Sequence, residues 1–171
     1  MTASRVARVH TVAFSGIEVI DVDVQAQISP GMPAFNIVGL GDKAVAESKE
    51  RIRAAFHSVG LSLPPKRITV NLAPADVQKE GSHFDLPIAI ALLVVLGSVS
   101  AEDVDPFTVL GELSLDGGIT AISGVLSAAI GASGQGRGLI CPASCGSEAA
   151  WAGEDFDVLG VSDLLALVNH F

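Results

Sequence analysis

Hydrophobic and polar residues alternate along two stretches near the start of the chain. Val6 to Phe14 and Ile17 to Ile28 both follow this period of two, and Ser15-Gly16 lies between them. Such alternation is typical of strands with one face on a core and the other in water, here joined by a tight turn. The pattern predicts a β-hairpin, then a turn at Pro30 to Pro33 and a short strand from Phe35 to Val38.

A helical pattern follows, with apolar residues every three or four positions. Asp42 is predicted to cap this helix, which runs to about Val59 and stops at Gly60, a residue that commonly ends helices. Glu47 and Arg51 are four residues apart, and the pattern places them as an ion pair on the outer face. The predicted inner stripe consists of Val45, Ser48, Ile52, Ala55, Phe56 and Val59.

The centre of the chain has a polar loop between two apolar elements. Arg67 to Leu72 alternates and is rich in β-branched residues, which predicts a strand, and Ala73 to Ser82 is a polar connector. Phe84 to Leu96 is apolar on all sides and too long for a typical strand, so we expect a buried helix capped by Asp85 or Ser82. A loop held between two such elements is a usual place for function.

The C-terminal half continues with short elements that end in a final helix. We expect α+β architecture in one domain over residues 1–171, with a mixed sheet and helices mainly on one face. Phe84 to Leu96 should be its most buried helix. The other predicted elements are a polar loop (Ser98 to Pro106), strands at Phe107 to Leu115, Ile119 to Ile122, Leu139 to Cys141 and Asp157 to Gly160, a turn at Asp116 to Gly118, a helix at Gly124 to Ser133, and a last helix capped by Ser162.

Composition narrows the class of protein. The 171 residues are 49% hydrophobic, enough for a folded domain with its own core and too apolar for a disordered chain. The longest apolar run, Leu86 to Leu96, is too short to span a bilayer, and the N-terminus lacks a signal-peptide pattern. We therefore expect a cytoplasmic protein without membrane contact, in which Cys141 and Cys145 are free thiols and hold no metal.

Charge is distributed unevenly along the sequence. Residues 1–80 carry a net charge of +1 and residues 81–171 a net charge of −10. The overall pI near 4.7 argues against a dedicated nucleic-acid surface. Lys66, Arg67 and Lys79 are nevertheless a candidate basic patch. The alternative for these cations is a solvated helix face and solvated strand ends.

The sequence supports neither of two common nucleotide-binding motifs. Gly39-Leu-Gly41-Asp-Lys-Ala44 has the spacing of a dinucleotide fingerprint. The next strand, Ile68 to Leu72, however ends in Asn71-Leu-Ala, with no acidic residue to hold a ribose. A tight strand-to-helix turn explains its glycines more simply. The chain also lacks a phosphate-binding loop of the Walker type, so we expect no ATP site by that route.

Five segments resemble the N-terminal domain of the ComM/YifB family of bacterial magnesium-chelatase-like AAA+ proteins. The resemblance covers nearly the whole chain and implies a hexameric, ATP- and magnesium-dependent machine for DNA processing, as in branch migration and natural transformation. Family members are much longer, so we expect 171 residues to be one domain without its AAA+ module. The segments are Pro33-x-Phe-x-Ile-Val-Gly-Leu-x-Asp42, Glu47-Ser-x-Glu-Arg51, Arg67-Ile-x-Val-Asn-Leu-Ala-Pro-Ala-Asp76, Lys79-Glu-Gly-Ser-x-Phe-Asp-Leu86 and Gly111-Glu-Leu-x-Leu-Asp-Gly117.

A more remote resemblance connects the domain to the proteolytic domain of Lon proteases, a ribosomal-protein-like two-layer fold. Lon-type enzymes use a Ser nucleophile with a Lys base. The overlay places His83 at the nucleophile position, with Ser82 one residue away, and Leu126 at the lysine position. Because the last lysine of the sequence is Lys79, none follows the candidate serine. The resemblance therefore implies a degenerate dyad and no catalysis by this chain.

Three hypotheses follow for function. The first is a non-catalytic domain, without a cofactor of its own, whose loop contacts the AAA+ module, a neighbouring subunit, or DNA through Lys79 with Lys66 and Arg67; the acidic remainder favours protein. The second is a hydrolase with an unorthodox Ser82/His83 site. The third is a magnesium-chelatase subunit. The candidate interaction loop comprises Asp76, Lys79, Glu80, Ser82, His83 and Asp85.

Overall fold

A seven-stranded mixed sheet is the centre of the structure, a computed structural model that describes residues 5–171. The strands of this sheet and of a separate two-stranded sheet, which β6 and β7 form, are β1 (Val6–Ser15), β2 (Glu18–Ser29), β3 (Ala34–Val38), β4 (Arg67–Ala73), β5 (Phe107–Val109), β6 (Glu112–Leu113), β7 (Ile119–Thr120), β8 (Gly138–Pro142) and β9 (Val158–Val161). The helices are α1 (Asp42–Ser58), α2 (Asp85–Val95), α3 (Ala101–Val104), α4 (Val125–Gly134), α5 (Gly146–Ala149) and α6 (Leu164–His170).

The strand order in the main sheet is β3-β4-β2-β1-β5-β8-β9. All its strands run in one direction except β2, which is antiparallel to both neighbours. β1 and β2 form a long hairpin whose register runs from Val6 opposite Gln27 to Ser15 opposite Glu18. The predicted hairpin and the predicted α+β class with a mixed sheet are therefore confirmed.

The core lies on both faces of this sheet because the strands alternate. Val9, Val24 and Val70 project to the face that α1 and α2 cover. Every residue of α2 from Asp85 to Leu93 is buried, which confirms the prediction of a helix apolar on all sides. Val12 projects to the second face, where α4 and α5 cover the sheet around β5 and β8. No helix within residues 5–171 is both long and apolar enough to cross a bilayer.

Three predicted helix caps are corrected. Gly41, and not Asp42, occupies the N-cap of α1, and Asp42 is its first helical residue. Asp163, and not Ser162, caps α6, where its Oδ1 accepts a 2.7 Å hydrogen bond from the Ala166 backbone N–H. Neither predicted side chain caps α2, because Asp85 and Ser82 are both engaged with other elements.

The region from residue 98 to residue 122 also differs from its prediction. The expected strand Phe107 to Leu115 is broken at Gly111, so that β5 stays in the main sheet while β6 pairs with β7 in a separate hairpin. The break arises because the Leu110 N–H donates to Ile140 of β8, whereas the Gly111 N–H donates to the His83 carbonyl. The expected loop before β5 contains the short helix α3, which buries Val104.

The glycines between β3 and α1 have a structural purpose. Gly39 has a left-handed φ of +104°, and a Cβ there would lie 2.6 Å from the Leu72 carbonyl oxygen. Glycine is therefore needed for the close approach of this turn to β4. This geometry supports the interpretation of the Gly39 to Ala44 motif as a tight strand-to-helix turn.

Candidate functional site

The loop between β4 and α2 folds around the side chain of Lys79. Its ammonium donates to the carbonyl oxygens of Pro74 at 2.6 Å and Val77 at 2.8 Å, and the residue is only 5% exposed. Backbone carbonyls near a buried ammonium satisfy its donors and hold the loop closed. Lys79 therefore shapes the loop from within.

The outer side of the same loop is polar and acidic. Asp76, Gln78 and Glu80 are exposed, and the Gln78 Nε2 donates to the Glu80 Oε1 at 2.5 Å. These side chains, with Phe14, line a cavity of about 350 Å³ beside the turn of the β1–β2 hairpin. Asp76 and Glu80 are thus the members of the predicted interaction loop that a partner could reach directly.

Ser82 lies at the start of a short 3-10 turn that leads into α2. Its hydroxyl donates a hydrogen bond to the carboxylate of Glu112 at the start of β6. Both residues are partly buried and line a second cavity, of about 540 Å³, with Phe14, Glu80 and His83. The partner of the Ser82 hydroxyl is therefore a carboxylate and not a histidine.

His83 is packed inside the protein. Its ring lies between Phe84, with ring centroids 4.1 Å apart, and the edge of Phe14 at 5.0 Å. The Nε2 donates to the Val12 carbonyl at 2.8 Å, which assigns the proton to that nitrogen. Burial lowers the pKa of His83 below its ordinary value, although the hydrogen bond to Val12 opposes this shift. His83 is a core residue, and the hypothesis that it acts as the base for Ser82 is corrected.

Leu126, the other position of the degenerate dyad, lies half-buried in the first turn of α4. It does not line the cavity next to Ser82; that wall is formed by Ala121, Ile122 and Ser123, just before the helix. In the described part of the chain, no lysine lines this cavity or the cavity of about 350 Å³ beside the hairpin turn. The two dyad positions are thus not arranged as a nucleophile and its base.

Asp85, the first residue of α2, accepts hydrogen bonds from three residues in two other elements. The Arg51 guanidinium donates from Nε at 2.5 Å and from Nη2 at 3.1 Å, and the Ser48 hydroxyl donates at 2.7 Å. The Leu113 backbone N–H of β6 donates the fourth bond at 3.1 Å. The carboxylate therefore joins α1, α2 and β6.

The electrostatics of this buried group balance two effects. Burial raises the pKa of the Asp85 carboxyl, while the hydrogen bonds from Arg51 and Ser48 and the charge of Arg51 act in the opposite direction. The same hydrogen bond raises the pKa of Arg51. Because all four donors point at its two oxygens, we assign Asp85 as an ionised carboxylate at neutral pH.

Three of the segments that resemble the ComM/YifB family meet at this point. Ser48 and Arg51 come from the segment that starts at Glu47, Ser82 and Asp85 from the segment that starts at Lys79, and Glu112 from the segment that starts at Gly111. Arg51 was expected on the outer face of its helix; its contact with Glu47 is present at 3.9 Å, but its side chain turns inward to Asp85. Sequence reasoning missed the roles of Arg51 and Glu112. The signal available in the sequence was Ser48, a polar residue inside the predicted apolar stripe of α1, which indicates a buried polar contact on that face.

The predicted interaction loop is therefore divided between two roles. Asp76 and Glu80 face solvent, and Ser82 faces the cleft. Lys79, His83 and Asp85 are buried, and their side chains are hydrogen bonded within the fold. The two neighbouring cavities share Phe14 and Glu80, and together they form a cleft. The titratable residues that line it are Asp76, Glu80, Glu112 and His83.

The structure does not assemble the predicted basic patch. Lys66 and Arg67 are exposed at the start of β4, whereas Lys79 follows the end of that strand, roughly 20 Å further along at the usual rise per residue. Lys79 is also buried beneath its own loop. Lys79 therefore does not belong to a basic patch. Lys66 and Arg67 are surface cations at the opposite end of β4.

The described residues offer no candidate site for the magnesium that the resemblance implies, and the sequence has no Walker-type loop for ATP. Within residues 5–171, no group of three or more His, Cys, Asp or Glu side chains could hold a metal ion. The glycine-rich turn before α1 is packed against Leu72 of β4, as described above. Cys141 and Cys145 are buried free thiols, and burial raises the pKa of Cys141 to about 12.

Comparisons with known proteins agree with the motifs. A family model described as subunit ChlI of Mg-chelatase matches residues 24–145. The uncharacterized protein YifB of Escherichia coli is 42% identical over 132 residues, which are 77% of this chain and 26% of YifB. The competence protein ComM of Haemophilus influenzae is 39% identical over 144 residues, which are 84% of this chain and 28% of ComM.

A third relative extends the match. An uncharacterized protein of Mycobacterium tuberculosis strain H37Rv is 37% identical over 158 residues, which are 92% of this chain and 31% of that protein. The chain thus spans between a quarter and a third of the length of these relatives. Since the family model covers most of the chain, this protein belongs to the ComM/YifB family of magnesium-chelatase-like proteins.

Proposed function

We propose that this chain is a non-catalytic domain of a ComM-like AAA+ ATPase that acts in DNA processing, such as branch migration during natural transformation, in the cytoplasm. The observation that carries the proposal is the state of the cleft beside α2. Ser82 is hydrogen bonded to the Glu112 carboxylate, and the His83 ring is committed to the Val12 carbonyl. The polar groups of this cleft thus form hydrogen bonds that connect elements of the fold, which supports a structural role for them.

The acidic lining of the cleft supports protein as its partner. Asp76, Glu80 and Glu112 place three carboxylates along it, and the cations Lys66 and Arg67 lie at the other end of β4. Carboxylates repel the phosphates of DNA and attract lysine or arginine side chains of a protein surface. The cleft therefore fits a basic segment of the AAA+ module or of a neighbouring subunit in the hexameric ring.

ATP hydrolysis and the magnesium that accompanies it are assigned to the AAA+ module of the longer protein. The described residues of this chain offer neither a phosphate-binding loop nor a cluster of oxygen ligands. The same lack of ligands weighs against the hypothesis that this chain is a metal-handling subunit of a chelatase. The domain would then contribute contacts to the machine, and not chemistry.

Residual hydrolysis is the second candidate, because Ser82 does face a cleft. Its test is labelling of the chain with a fluorophosphonate probe and a peptide-cleavage assay, with Ser82→Ala as the reference. The proposal expects equal, background-level signals from both proteins. Labelling or turnover that disappears in Ser82→Ala would overturn the non-catalytic assignment.

The contact itself is tested in the full-length protein. Asp76→Lys combined with Glu80→Lys should weaken ring assembly or its coupling to ATP hydrolysis, and should leave the salt dependence of DNA binding unchanged. Glu102→Lys combined with Asp103→Lys, which reverses two exposed carboxylates of α3 outside the cleft, is the matched control. A changed salt slope with normal assembly would instead place DNA at the cleft.

A further inference from the structure

The single tryptophan of the chain is on the surface. Trp151 is 84% exposed, in the 3-10 turn between α5 and β9. Tryptophan is among the residue types that most often act as anchors of protein interfaces. The neighbouring carboxylates are exposed and form no ion pair within residues 5–171; they belong to Glu148, Glu154, Asp155 and Asp157.

A surface of opposite character lies at the other end of the sheet. A cavity of about 260 Å³ beside β3 has mainly apolar walls, and the cations of Arg53 and Lys66 lie among its lining residues. Neither cation pairs with a carboxylate in the described part of the chain. The guanidinium of Arg53 lies 5.5 Å from the centre of the Phe35 ring. The apolar walls come from Pro33, Ala34, Phe35, Leu63, Pro64, Pro65 and Ile68.

These two surfaces cannot meet within one molecule. β3 and β9 are the two ends of a seven-stranded sheet, roughly 29 Å apart at the usual strand spacing. Their chemistry is nevertheless complementary, because one offers an aromatic ring among unpaired carboxylates and the other an apolar cavity among unpaired cations. A contact between different patches on two copies is heterologous, and such contacts produce rings or open chains.

We propose that Trp151 of one copy inserts into the cavity beside β3 of the next copy. The indole ring is buried against Pro64 and Leu63, and the carboxylates around it pair with Arg53 and Lys66. An aromatic anchor surrounded by charge pairs is the usual composition of an interface with one dominant contact. This contact deepens the proposed role in ring assembly and rests on it, but it uses residues outside the acidic cleft.

The sole tryptophan makes the contact directly measurable. Sedimentation velocity of the 171-residue chain over a concentration series should show self-association, and the fluorescence of Trp151 should shift to shorter wavelength as association proceeds. Trp151→Ala should weaken the self-association constant at least about tenfold, as expected for an interface anchor. Arg53→Glu with Lys66→Glu should have the same effect, and the matched control Lys43→Glu, on the outer face of α1, should have none.

Mixing the two defective proteins gives the sharpest outcome. Trp151→Ala retains the cavity and the double variant retains the tryptophan, so their mixture should form a dimer and nothing larger. Its fluorescence should shift, since only the double variant carries the tryptophan. Circular dichroism checks that each variant is folded; if the double variant is not, Lys66→Ser alone replaces it.

Several results would overturn the contact. These are a chain that stays monomeric at all concentrations, association that Trp151→Ala does not weaken, and a mixture that gives no dimer. Loss of DNA-fragment binding in the double variant with unchanged sedimentation would show that the cations serve DNA. None of these outcomes bears on Ser82 or on the acidic cleft, so the proposed function would be judged separately by its own experiments.

Discussion

The guanidinium of Arg51 lies against the carboxylate of Asp85, with Nε 2.5 Å from Oδ2 and Nη2 3.1 Å from Oδ1. This pair connects the inner side of α1 to the first residue of α2, and the Ser48 hydroxyl completes it from one helical turn before Arg51. The Asp85 side chain is 1% exposed and that of Arg51 is 21% exposed. This pair therefore fixes the position of α1 relative to the start of α2, next to the cleft.

Removing one partner of this pair should strongly destabilise the domain. Asp85→Ala leaves the Arg51 charge, the Ser48 hydroxyl and the Leu113 N–H without an acceptor, which should lower the free energy of unfolding by about 3–5 kcal/mol. Urea unfolding measures the change. Lys43→Ala breaks the exposed Lys43–Glu47 pair and should change stability little. Equal effects of both substitutions would contradict this role of Asp85.

Lys79 should act on the order of its loop. Lys79→Met keeps the aliphatic bulk but removes the donors to the Pro74 and Val77 carbonyls, which should destabilise the protein by about 1–3 kcal/mol. Hydrogen exchange over residues 74–81 should become faster, whereas the exposed Gln78→Ala should leave it unchanged. A reduced salt slope of DNA binding with unaltered exchange would return Lys79 to a phosphate-contact role.

Burial of His83 should make stability depend on pH. Because the folded state lowers the pKa of His83 below 6.5, the unfolded chain takes up a proton at a pH where the folded protein does not. Protonation of the unfolded chain at this residue therefore costs no stability well above pH 6.5. As pH falls through 6.5 toward the folded pKa of His83, the free energy of unfolding should decrease by at most about 1.4 kcal/mol per pH unit.

The comparison of two histidine variants isolates this effect. His83→Gln should be less stable than the parent but should show a flatter decline between pH 7.5 and pH 5 in chemical unfolding. The exposed His57→Gln should keep the slope of the parent protein. An unchanged slope in His83→Gln would mean that other groups produce the pH dependence.

The two glycines before α1 should respond very differently to alanine. Gly39→Ala places a Cβ 2.6 Å from the Leu72 carbonyl and forces a side chain into a φ of +104°, so it should lower the unfolding midpoint clearly. Gly41 has a φ of −65° and open space around its Cα, and Gly41→Ala should be tolerated. Thermal unfolding compares the two. A dinucleotide site would instead require that both variants reduce nucleotide binding while stability is kept.

The local pattern of hydrophobic and polar residues was enough to predict most strands and helices and the central loop. The alternation in β1 and β2 and the all-round apolar character of α2 depend on neighbours along the chain, so the sequence by itself determined them. The same applies to the lack of any lysine after Lys79, which is read directly from the residue identities. Family membership also followed from the order of the motifs, since each motif is contiguous.

Tertiary structure decided what the polar side chains do. Asp85 was expected to cap its own helix, but its carboxylate accepts hydrogen bonds from residues 34 and 28 positions away in sequence. Lys79 was expected to contact a partner or DNA, but the Pro74 and Val77 carbonyls bind its ammonium within the loop. A charged side chain takes the partner that lowers its free energy in three dimensions, and periodicity along the chain carries no information about partners that distant.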